Sequence, residues 1–434
     1  MIKPALLRGW DDRETVRYGV TPPHAVVLRP VDGPTESFLA LLDGTRGMTT
    51  LRRAADRLGL RPDAADRLTA RLASLGVVED AVAGRRAAAE VTESLRPDLA
   101  TLSLLCREPG GARRRLVARR SARVRVVGAG RVGAAIAATL ARAGIGGVEV
   151  VDGGTVGPGE VSAAGFAPEH VGRRRNAAAD SLIRRLRPWP RAGGRTGRSP
   201  HGEHRPGTAG PELVIIAPRD GISGYAPSPE TVEPLMAAGI PHLYAGVVEA
   251  TGFVGPLVMP GRTPCAGCLM RERERWESGW PLLVGQWRHG RRGTGVPSCD
   301  TALATAVAGL AATTALGVLD GTLVMGPVPP PDRARHRASD RNGRPGPIPD
   351  PGAGAGVGTG RGHGVDPEAG GRLEMTLPGP RVERVAVSAH PDCPCGAAVS
   401  RAPQPPASDD PVAAGAGTGT TRARPMGAHH DHVS

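Results

Sequence analysis

The pattern of apolar and polar residues in the first 80 positions predicts short strands followed by helices. The runs TVRYG (15–19) and HAVVL (24–28) are β-prone and are separated by two consecutive prolines. Helical spacing follows in three segments that each end on a glycine, at 35–44, 49–59 and 62–76. The run VVED (77–80) predicts a closing strand. Residues 1–80 are therefore predicted to form a small winged-helix-like α+β domain.

The pattern changes after residue 80 and divides the rest of the chain. Residues 81–120 are predicted to be a helical connector. Residues 121–325 alternate between strand-like and helix-like segments, which predicts an α/β domain of Rossmann type with a mostly parallel sheet. Within it, 191–211 is a polar insertion. A C-terminal strand is predicted at 372–397, whereas the linker at 326–371 and the tail at 398–434 lack periodicity and are predicted to be disordered.

The 434-residue chain carries a formal net charge of +13, which raises the question of a nucleic-acid partner. Its arginines are spread over the whole sequence, and Lys3 is its only lysine. Aromatic residues make up 3% of the chain, and no stretch interleaves them with basic residues as single-strand binding requires. We therefore do not expect nucleic-acid binding.

One apolar run, residues 301–319, approaches membrane-spanning length. It is rich in Ala, Gly and Thr, which gain little from lipid, and it lies between Asp300 and Asp320. We expect a buried helix of a soluble protein without a membrane partner. Because the first residues lack the apolar core of a signal peptide, a cytoplasmic location is predicted. Cysteines are expected there as metal ligands or free thiols rather than disulfides.

Residues 124–152 read VRVVGAGRVGAAIAATLARAGIGGVEVVD, which predicts a strand, a glycine turn, a small-residue helix and a second strand that ends in an acid. Gly128, Gly130 and Gly133 fit the pattern G-x-G-x-x-G, in which glycines let the backbone approach a phosphate at a helix N-terminus. Asp152 follows Gly133 by 19 residues, where a ribose-binding acid is expected. Whether these residues bind a nucleotide or serve only the packing of the fold stays open.

The sequence around this unit resembles the ThiF/MoeB/HesA family of ubiquitin-activating-enzyme-like adenylyltransferases. Leu140 and Gly144 match the L-x-x-x-G-V-G motif of that family, and Gly172, Arg175 and Ala177 approximate its G-x-x-K-A segment. The resemblance implies a ThiF-type Rossmann domain, ATP as cofactor, Arg175 as a cofactor-binding residue and a homodimer formed through this domain.

Three departures from the family pattern bear on catalysis. Gly154 stands at the second aspartate of a D-x-D motif, and Ala163 stands near an expected arginine. Arg219 occupies the position of an aspartate that ends the next strand, with Asp220 one residue later. Activating a carboxylate with ATP needs metal ligands and cations for the developing charge. These departures argue against adenylation, and ATP binding without turnover stays open.

Two pairs of cysteines have the residue type and number of a tetrahedral structural zinc site. Cys265 and Cys268 form a CxxC pair, and Cys393 and Cys395 form a CxC pair with His390 as a spare ligand. The resembled family carries CxxC in both halves, so the alternative is four free thiols. Of the other two cysteines in the chain, Cys299 is interpreted as a loop cysteine rather than a thioester nucleophile, and Cys106 as a core residue.

Residues 1–80 also resemble PqqD-like precursor-peptide recognition domains, which bind a leader peptide as an added strand. The matching residues are Leu41, Leu42, Asp43, Gly44, Leu51, Leu68, Leu72, Gly76 and Val77. The resemblance implies that the edge 24–28 and a groove wall at 65–72 bind the peptide. The peptide-binding residues it implies are Val26, Val27, Leu28, Arg67, Leu68 and Arg71. Arg67 and Arg71 either meet acidic leader residues or form a solvated face.

The combination of both domains resembles the leader-peptide-binding partner proteins of thiazole/oxazole-modified peptide systems. There, a separate YcaO-type cyclodehydratase forms the azoline with ATP. The resemblance implies a precursor peptide and a YcaO enzyme as partners. An active adenylyltransferase for a peptide or carrier-protein carboxylate is the alternative. A nicotinamide-dependent dehydrogenase and a DNA-binding winged-helix regulator fit the sequence less well.

Overall fold

In the computed structural model of the protein, the described residues are 1–189, 210–289, 297–323, 371–379 and 381–398. Except for their end residues, the predicted insertion at 191–211, linker at 326–371 and tail at 398–434 lie outside the described residues.

The N-terminal module, residues 1–80, combines a three-stranded antiparallel sheet with three helices. The strands are β1 (Arg8–Trp10), β2 (Val16–Tyr18) and β3 (Val26–Leu28), and the helices are α1 (Gly33–Ala40), α2 (Met48–Arg57) and α3 (Ala64–Ser74). Strand β2 is central, so β1 and β3 form the two edges. Phe38, Leu39 and Leu72 are buried in its core. The predicted small α+β domain is confirmed, with β1 as a strand that the pattern did not predict.

The helical connector consists of α4 (Ala81–Glu90), α5 (Arg96–Leu105) and α6 (Gly111–Arg119). Leu102 and Leu116 lie in its small apolar core. Lys3 is fully buried, and its Nζ donates a hydrogen bond to the carbonyl oxygen of Cys106, 2.6 Å away, directly after α5. A buried polar contact therefore joins the N-terminal module to the connector.

The second domain is built on a mixed seven-stranded sheet with the order β10-β9-β8-β7-β6-β4-β5. Its strands are β4 (Arg123–Val127), β5 (Gly147–Val151), β6 (Leu213–Ile216), β7 (His242–Val248), β8 (Thr251–Val258), β9 (Arg372–Thr376) and β10 (Val382–Val385). Strands β5, β4, β6 and β7 are parallel, and the pairs from β7 to β10 are antiparallel. The predicted Rossmann-type sheet is confirmed, and β9 and β10 extend it.

Helices follow and flank these strands. They are α7 (Arg131–Arg142), α8 (Arg175–Leu186), α9 (Ile222–Tyr225), α10 (Pro229–Ala237), α11 (Ala266–Trp276), α12 (Trp280–His289) and α13 (Thr301–Leu319). Helix α7 connects β4 to β5 and is buried along most of its length. Its alanines allow the close packing of α13 across it.

Helix α13 has the bounds that the apolar run predicted. Among the described helices it is the one whose length and hydropathy would suffice to cross a membrane. One face of α13, which includes Leu303, Val307, Ala311 and Ala315, is buried against α7, β7 and β8. The helix is therefore part of the core of the second domain, as expected.

Candidate functional site

The glycine turn lies between β4 and α7, at the carboxyl end of the parallel strands. Gly128 has a φ of +101°, and a Cβ atom there would lie 2.1 Å from the carbonyl oxygen of Ala217. A Cβ atom at Gly133 would lie 2.0 Å from the carbonyl oxygen of Gly128. The fold itself therefore requires both glycines. A Cβ atom at Gly130 would have Cγ of the flexible Arg219 side chain as its closest neighbour, at 3.1 Å, so packing alone does not explain Gly130.

Asp152 follows β5, and its carboxylate lies at the glycine turn. Its Oδ2 accepts hydrogen bonds from the backbone N–H of Ala129, at 2.7 Å, and from Nε of Arg219, at 3.1 Å. Nε of Arg175 lies 4.0 Å from the same oxygen. The acid is thus placed beside the turn, as the motif predicts, but protein donors already engage it.

Arg175, predicted to contact a cofactor, is buried in contacts with its own chain. It forms a bidentate ion pair with Glu160, with Nη2 and Oε2 2.8 Å apart. Its Nη1 donates to the carbonyl oxygen of Gly153 at 2.7 Å. Nothing in the local sequence singles out Glu160, because it is an isolated acid in a loop and Arg175, its partner, lies 15 residues later in the chain.

Gly154, at the second position of the expected D-x-D motif, is closely linked to Arg175. Its φ is +74°, a region that L-residues with a side chain rarely adopt. A Cβ atom there would lie 2.8 Å from Nη1 of Arg175. An aspartate at this position would therefore have a strained backbone, and the guanidinium group of Arg175 would have to shift to admit it.

Arg219 and Asp220 follow β6, where an aspartate is expected in the resembled family. Arg219 is half-exposed and points its Nε at Asp152. Asp220 turns away and accepts hydrogen bonds from the backbone N–H and Oγ of Ser223, at 3.1 and 2.9 Å, at the start of α9. The displaced acid is therefore occupied as a local helix cap and does not replace the missing carboxylate.

Two adjoining cavities flank Arg219. One, of about 450 Å³, lies at the N-terminus of α7 and is lined by Gly130, Arg131 and Gly133 together with Cys299. The other, of about 600 Å³, is lined by Asp152 and by the apolar side chains of Val127, Ile222 and Trp287. Pro218, Arg219 and Pro297 contribute to both cavities.

A magnesium ion bound together with ATP is held by one or two protein carboxylates as well as by phosphate oxygens. Protein donors engage each nearby acid: Asp152 as described, Glu160 by Arg175, Asp220 by Ser223 and Asp300 by the backbone of α13. Within the described part of the chain, the one cluster of three or more His, Cys, Asp or Glu side chains close enough to share a metal ion is made of four cysteines. Because Gly154 and Arg219 stand at the two positions where the resembled family has aspartates, the residues here do not fit a catalytic magnesium site.

That cysteine cluster consists of Cys265, Cys268, Cys393 and Cys395, whose Sγ atoms all lie within 4.8 Å of one another. The Cys265–Cys393 and Cys268–Cys395 sulfur pairs are each 3.5 Å apart. Zinc–sulfur bonds of about 2.3 Å in a tetrahedron place sulfurs about 3.8 Å apart. The CxxC and CxC halves thus converge with the spacing of a metal site, joining α11 to the chain after β10.

Hydrogen bonds at the cluster favour the thiolate form of one cysteine, Cys268. A hydrogen bond from the Cys265 thiol lowers the pKa of Cys268, and the backbone N–H of His390, 3.4 Å from its sulfur, acts in the same direction. The shared proton and burial raise the pKa of Cys265. The His390 ring is not among the clustered ligands, and its Nδ1 accepts from the backbone N–H of Asp392 at 3.2 Å.

The two remaining cysteines, Cys299 and Cys106, lie outside the cluster. Cys299 lines the smaller cavity, where burial raises the pKa of its thiol and so disfavours the nucleophilic thiolate. Its carbonyl oxygen accepts a hydrogen bond from Nη1 of Arg131 at 2.8 Å. Cys106 is buried between the connector helices and lies 2.9 Å from Nη1 of Arg115. Neither is arranged as a catalytic thiol.

The predicted peptide-binding residues lie on two elements of the N-terminal module. Val26, Val27 and Leu28 form β3, an edge strand in which Val27 is 44% exposed and Leu28 is buried. Arg67, Leu68 and Arg71 lie on α3. Leu68 packs on the core, Arg71 is exposed, and Arg67 pairs with Asp63 at 2.9 Å.

The glycine turn, the acid after β5 and the mixed sheet define the second domain as a Rossmann-type nucleotide-binding fold. The sequence profile of the ThiF family matches residues 110–338, which is more than half of the chain. The chain belongs to the ThiF family, and the resemblance seen in its motifs is confirmed. The match starts at the last connector helix, slightly before the predicted domain boundary at residue 121. No protein of curated function matches the sequence.

Solved structures share the fold over nearly the whole chain. E. coli MccB with ATP has a TM-score of 0.57 and 11% identity, covering 91% of this chain and 98% of MccB. MccB, described as a microcin C7 biosynthetic enzyme, in complex with N-formylated MccA has a TM-score of 0.58 and 11% identity, covering 91% and 99%. PaaA has a TM-score of 0.53 and 15% identity, covering 89% and 99%. At these identities the likeness shows a common fold.

Proposed function

We propose that this chain binds the leader region of a ribosomally made precursor peptide and presents it to a separate YcaO-type cyclodehydratase for thiazole or oxazole formation. The N-terminal module binds the peptide, and the ThiF-like domain is largely non-catalytic. The protein acts in the cytoplasm as a homodimer formed through the ThiF-like domain. Free thiols at all six cysteines are consistent with that compartment.

The observation that carries the non-catalytic role is the contact between Arg219 and Asp152. An arginine stands where an acid is needed to hold a metal, and it engages the remaining acid of the site at 3.1 Å. Gly154 cannot be restored to aspartate without backbone strain and a shift of the Arg175 side chain. Adenylation depends on placing charges opposite the phosphates, so the loss of these groups would remove most of the rate.

Peptide binding by the N-terminal module is supported by the free edge of its sheet. Among the described strands, β3 pairs only with β2, and Val27 is exposed on it. An extended peptide can add to such an edge through main-chain hydrogen bonds, while side-chain contacts give specificity. Arg71, exposed on α3, would supply charge for an acidic leader. The shared fold with MccB, solved in complex with MccA, is consistent with this proposal.

We also propose zinc as the ion of the four-cysteine cluster. Zinc prefers four sulfur ligands in a tetrahedron, and closed sites of this type are structural. Cys265, Cys268, Cys393 and Cys395 would hold the ion, and it would keep the C-terminal hairpin on the core. It takes no part in the chemistry proposed for the peptide.

The alternative function is an active adenylyltransferase for a peptide or carrier-protein carboxylate. The complete glycine turn and the room at Gly130 favour it. ATP–pyrophosphate exchange on the full-length protein, with and without the precursor peptide encoded nearest its gene, separates the two functions. We expect no exchange. Exchange that is abolished by Asp152→Ala would establish the adenylyltransferase and overturn the non-catalytic role.

Peptide binding is tested on the same preparation by fluorescence anisotropy of the labelled precursor peptide. Val27→Asp places a charge on the edge strand, and we expect it to weaken binding by about tenfold or more. Val20→Asp makes the same change at a more exposed position outside the strand, 67% exposed, and serves as the matched control. Equal affinity of both variants and the wild type would remove β3 as the binding edge.

A further inference from the structure

The two cavities beside Arg219 offer different chemistry on either side of one side chain. The 450 Å³ cavity lies at the N-terminus of α7, where free backbone N–H groups and Arg131 favour an anion. The 600 Å³ cavity is lined by Trp287, which is 48% exposed, and by Val127 and Asp152. These surroundings suit a flat aromatic ring and a hydroxyl group.

A nucleoside phosphate has these three parts in the matching order. Its base would lie on Trp287, a ribose hydroxyl would face Asp152, and its phosphate would reach Gly130. Because Pro218, Arg219 and Pro297 line both cavities, the two spaces adjoin at Arg219. One ligand of this class would occupy both when the Arg219 side chain turns to meet its phosphate.

The charge of such a phosphate needs a counterion, and the site has a cation in place of metal ligands. In kinase, ATPase and polymerase sites, magnesium bridges protein carboxylates and phosphate oxygens. Here Asp152, Glu160, Asp220 and Asp300 are engaged by protein donors, whereas the guanidinium group of Arg219 lies between the cavities. We propose that this site binds nucleoside phosphates without a divalent metal ion, with Arg219 as the phosphate-binding cation.

Arg219 has to exchange its contact with Asp152 for one with the phosphate. The Arg219 side chain is 46% exposed and can turn, whereas that of Asp152 is 10% exposed, so contacts with the phosphate have to offset the lost ion pair. A guanidinium group binds phosphate through two parallel hydrogen bonds. Asp152 keeps its hydrogen bond from Ala129 when Arg219 leaves, so the turn retains its geometry.

Isothermal titration of the full-length protein with ATP and AMP tests the inference, in metal-scavenged buffer and again with excess magnesium chloride. We expect binding in both buffers with affinities that agree within about threefold, since no bound metal contributes. Arg219→Ala should weaken binding of both nucleotides by about tenfold or more. Arg184→Ala, at an exposed arginine of α8, should bind like the wild type. Circular dichroism and thermal unfolding confirm that each variant is folded.

Trp287→Leu separates base recognition from phosphate binding. We expect it to weaken AMP and ATP binding while leaving the affinity for inorganic tripolyphosphate unchanged. Three results would overturn the inference: no nucleotide binding in metal-scavenged buffer, binding that requires magnesium, or tighter binding by Arg219→Ala, which would make Arg219 a plug. None of these results bears on peptide binding by β3, so this inference and the peptide proposal can fail separately.

Discussion

Nη2 of Arg119 lies 2.7 Å from Oδ2 of Asp320, and its Nε lies 3.0 Å from Oδ1, although 201 residues separate the two in sequence. Both side chains are buried, with exposures of 6% and 3%. Arg119 ends α6 and Asp320 directly follows α13, so this bidentate ion pair ties the connector to the core helix of the ThiF-like domain. Nη1 of Arg119 also donates to the carbonyl oxygen of Ala143 at 2.9 Å.

Removing one partner of this ion pair should destabilise the protein strongly. Arg119→Met leaves the Asp320 carboxylate buried without its partner, and we expect the free energy of unfolding to fall by about 3–5 kcal/mol. Urea unfolding followed by tryptophan fluorescence measures the change. The double variant Arg119→Met/Asp320→Leu removes both charges and should lose less stability. Equal losses in the single and double variants would contradict an ionic origin.

Gly128 and Gly130 should respond differently to the same substitution. Gly128→Ala meets a positive φ and the carbonyl oxygen of Ala217, and it should cost about 2 kcal/mol or more. Gly130→Ala has an ordinary φ of −79°, but it replaces a favourable helix N-cap and places a Cβ atom 3.1 Å from Cγ of Arg219, so it should cost about 1 kcal/mol. Thermal unfolding of both variants gives the comparison. A stable Gly128→Ala protein would show that the turn can relax.

The four-cysteine cluster should hold one tightly bound zinc ion per chain. Cys268→Ser removes a buried ligand, so we expect loss of the zinc and a lower thermal midpoint. Metal analysis of protein purified without added zinc measures the content. Cys299→Ser, outside the cluster, should keep the full zinc content. Zinc-free wild-type protein with an unchanged thermal midpoint after zinc addition would leave the cluster as four thiols.

His242 should contribute to acid sensitivity. It is fully buried in β7, and burial lowers its pKa, while its hydrogen bond with the Ile240 carbonyl offsets part of this shift. The unfolded chain then binds more protons below about pH 6.5, so the stability falls as the pH falls through that value. His242→Leu should reduce the loss of unfolding free energy between pH 7.5 and pH 5.5, measured in urea. His24→Leu provides a histidine control, and an equal pH dependence in all three proteins would refute the assignment.

Local patterns predicted the elements that carry strong signals of their own. The strand–turn–helix–strand unit around Gly128 and the bounds of α13 follow from apolar runs and from the glycines and aspartates that end them. The pattern does not predict strand β1, because the strand has only three residues, RGW, and all three are exposed. The pattern predicts that α1 starts at Thr35, and this is wrong. Asp32 is the N-cap residue, and its Oδ1 accepts a hydrogen bond from the backbone N–H of Thr35 at 2.9 Å.

The contacts that define the site depend on the tertiary fold and have no local signal. The sequence shows that residue 219 is an arginine. Its hydrogen bond to Asp152 cannot be seen there, because it arises from the positions of β6 and β5 on either side of β4. Glu160 meets Arg175 only when the loop after β5 folds back. The two cysteine pairs have the number of ligands that a zinc site needs, and this is visible in the sequence. Their approach in space requires the hairpin of β9 and β10 to pack beside β8.

The buried position of Lys3 has a practical consequence for chemical probes. It is the only lysine of the chain, so the folded protein has no exposed ε-amine. Lysine-directed crosslinkers and succinimidyl esters would therefore find no lysine side chain to modify on the surface of the folded protein. Acylation of Lys3 requires its Nζ to leave the carbonyl oxygen of Cys106. The rate of this acylation would therefore measure local opening at the junction between the first module and the connector.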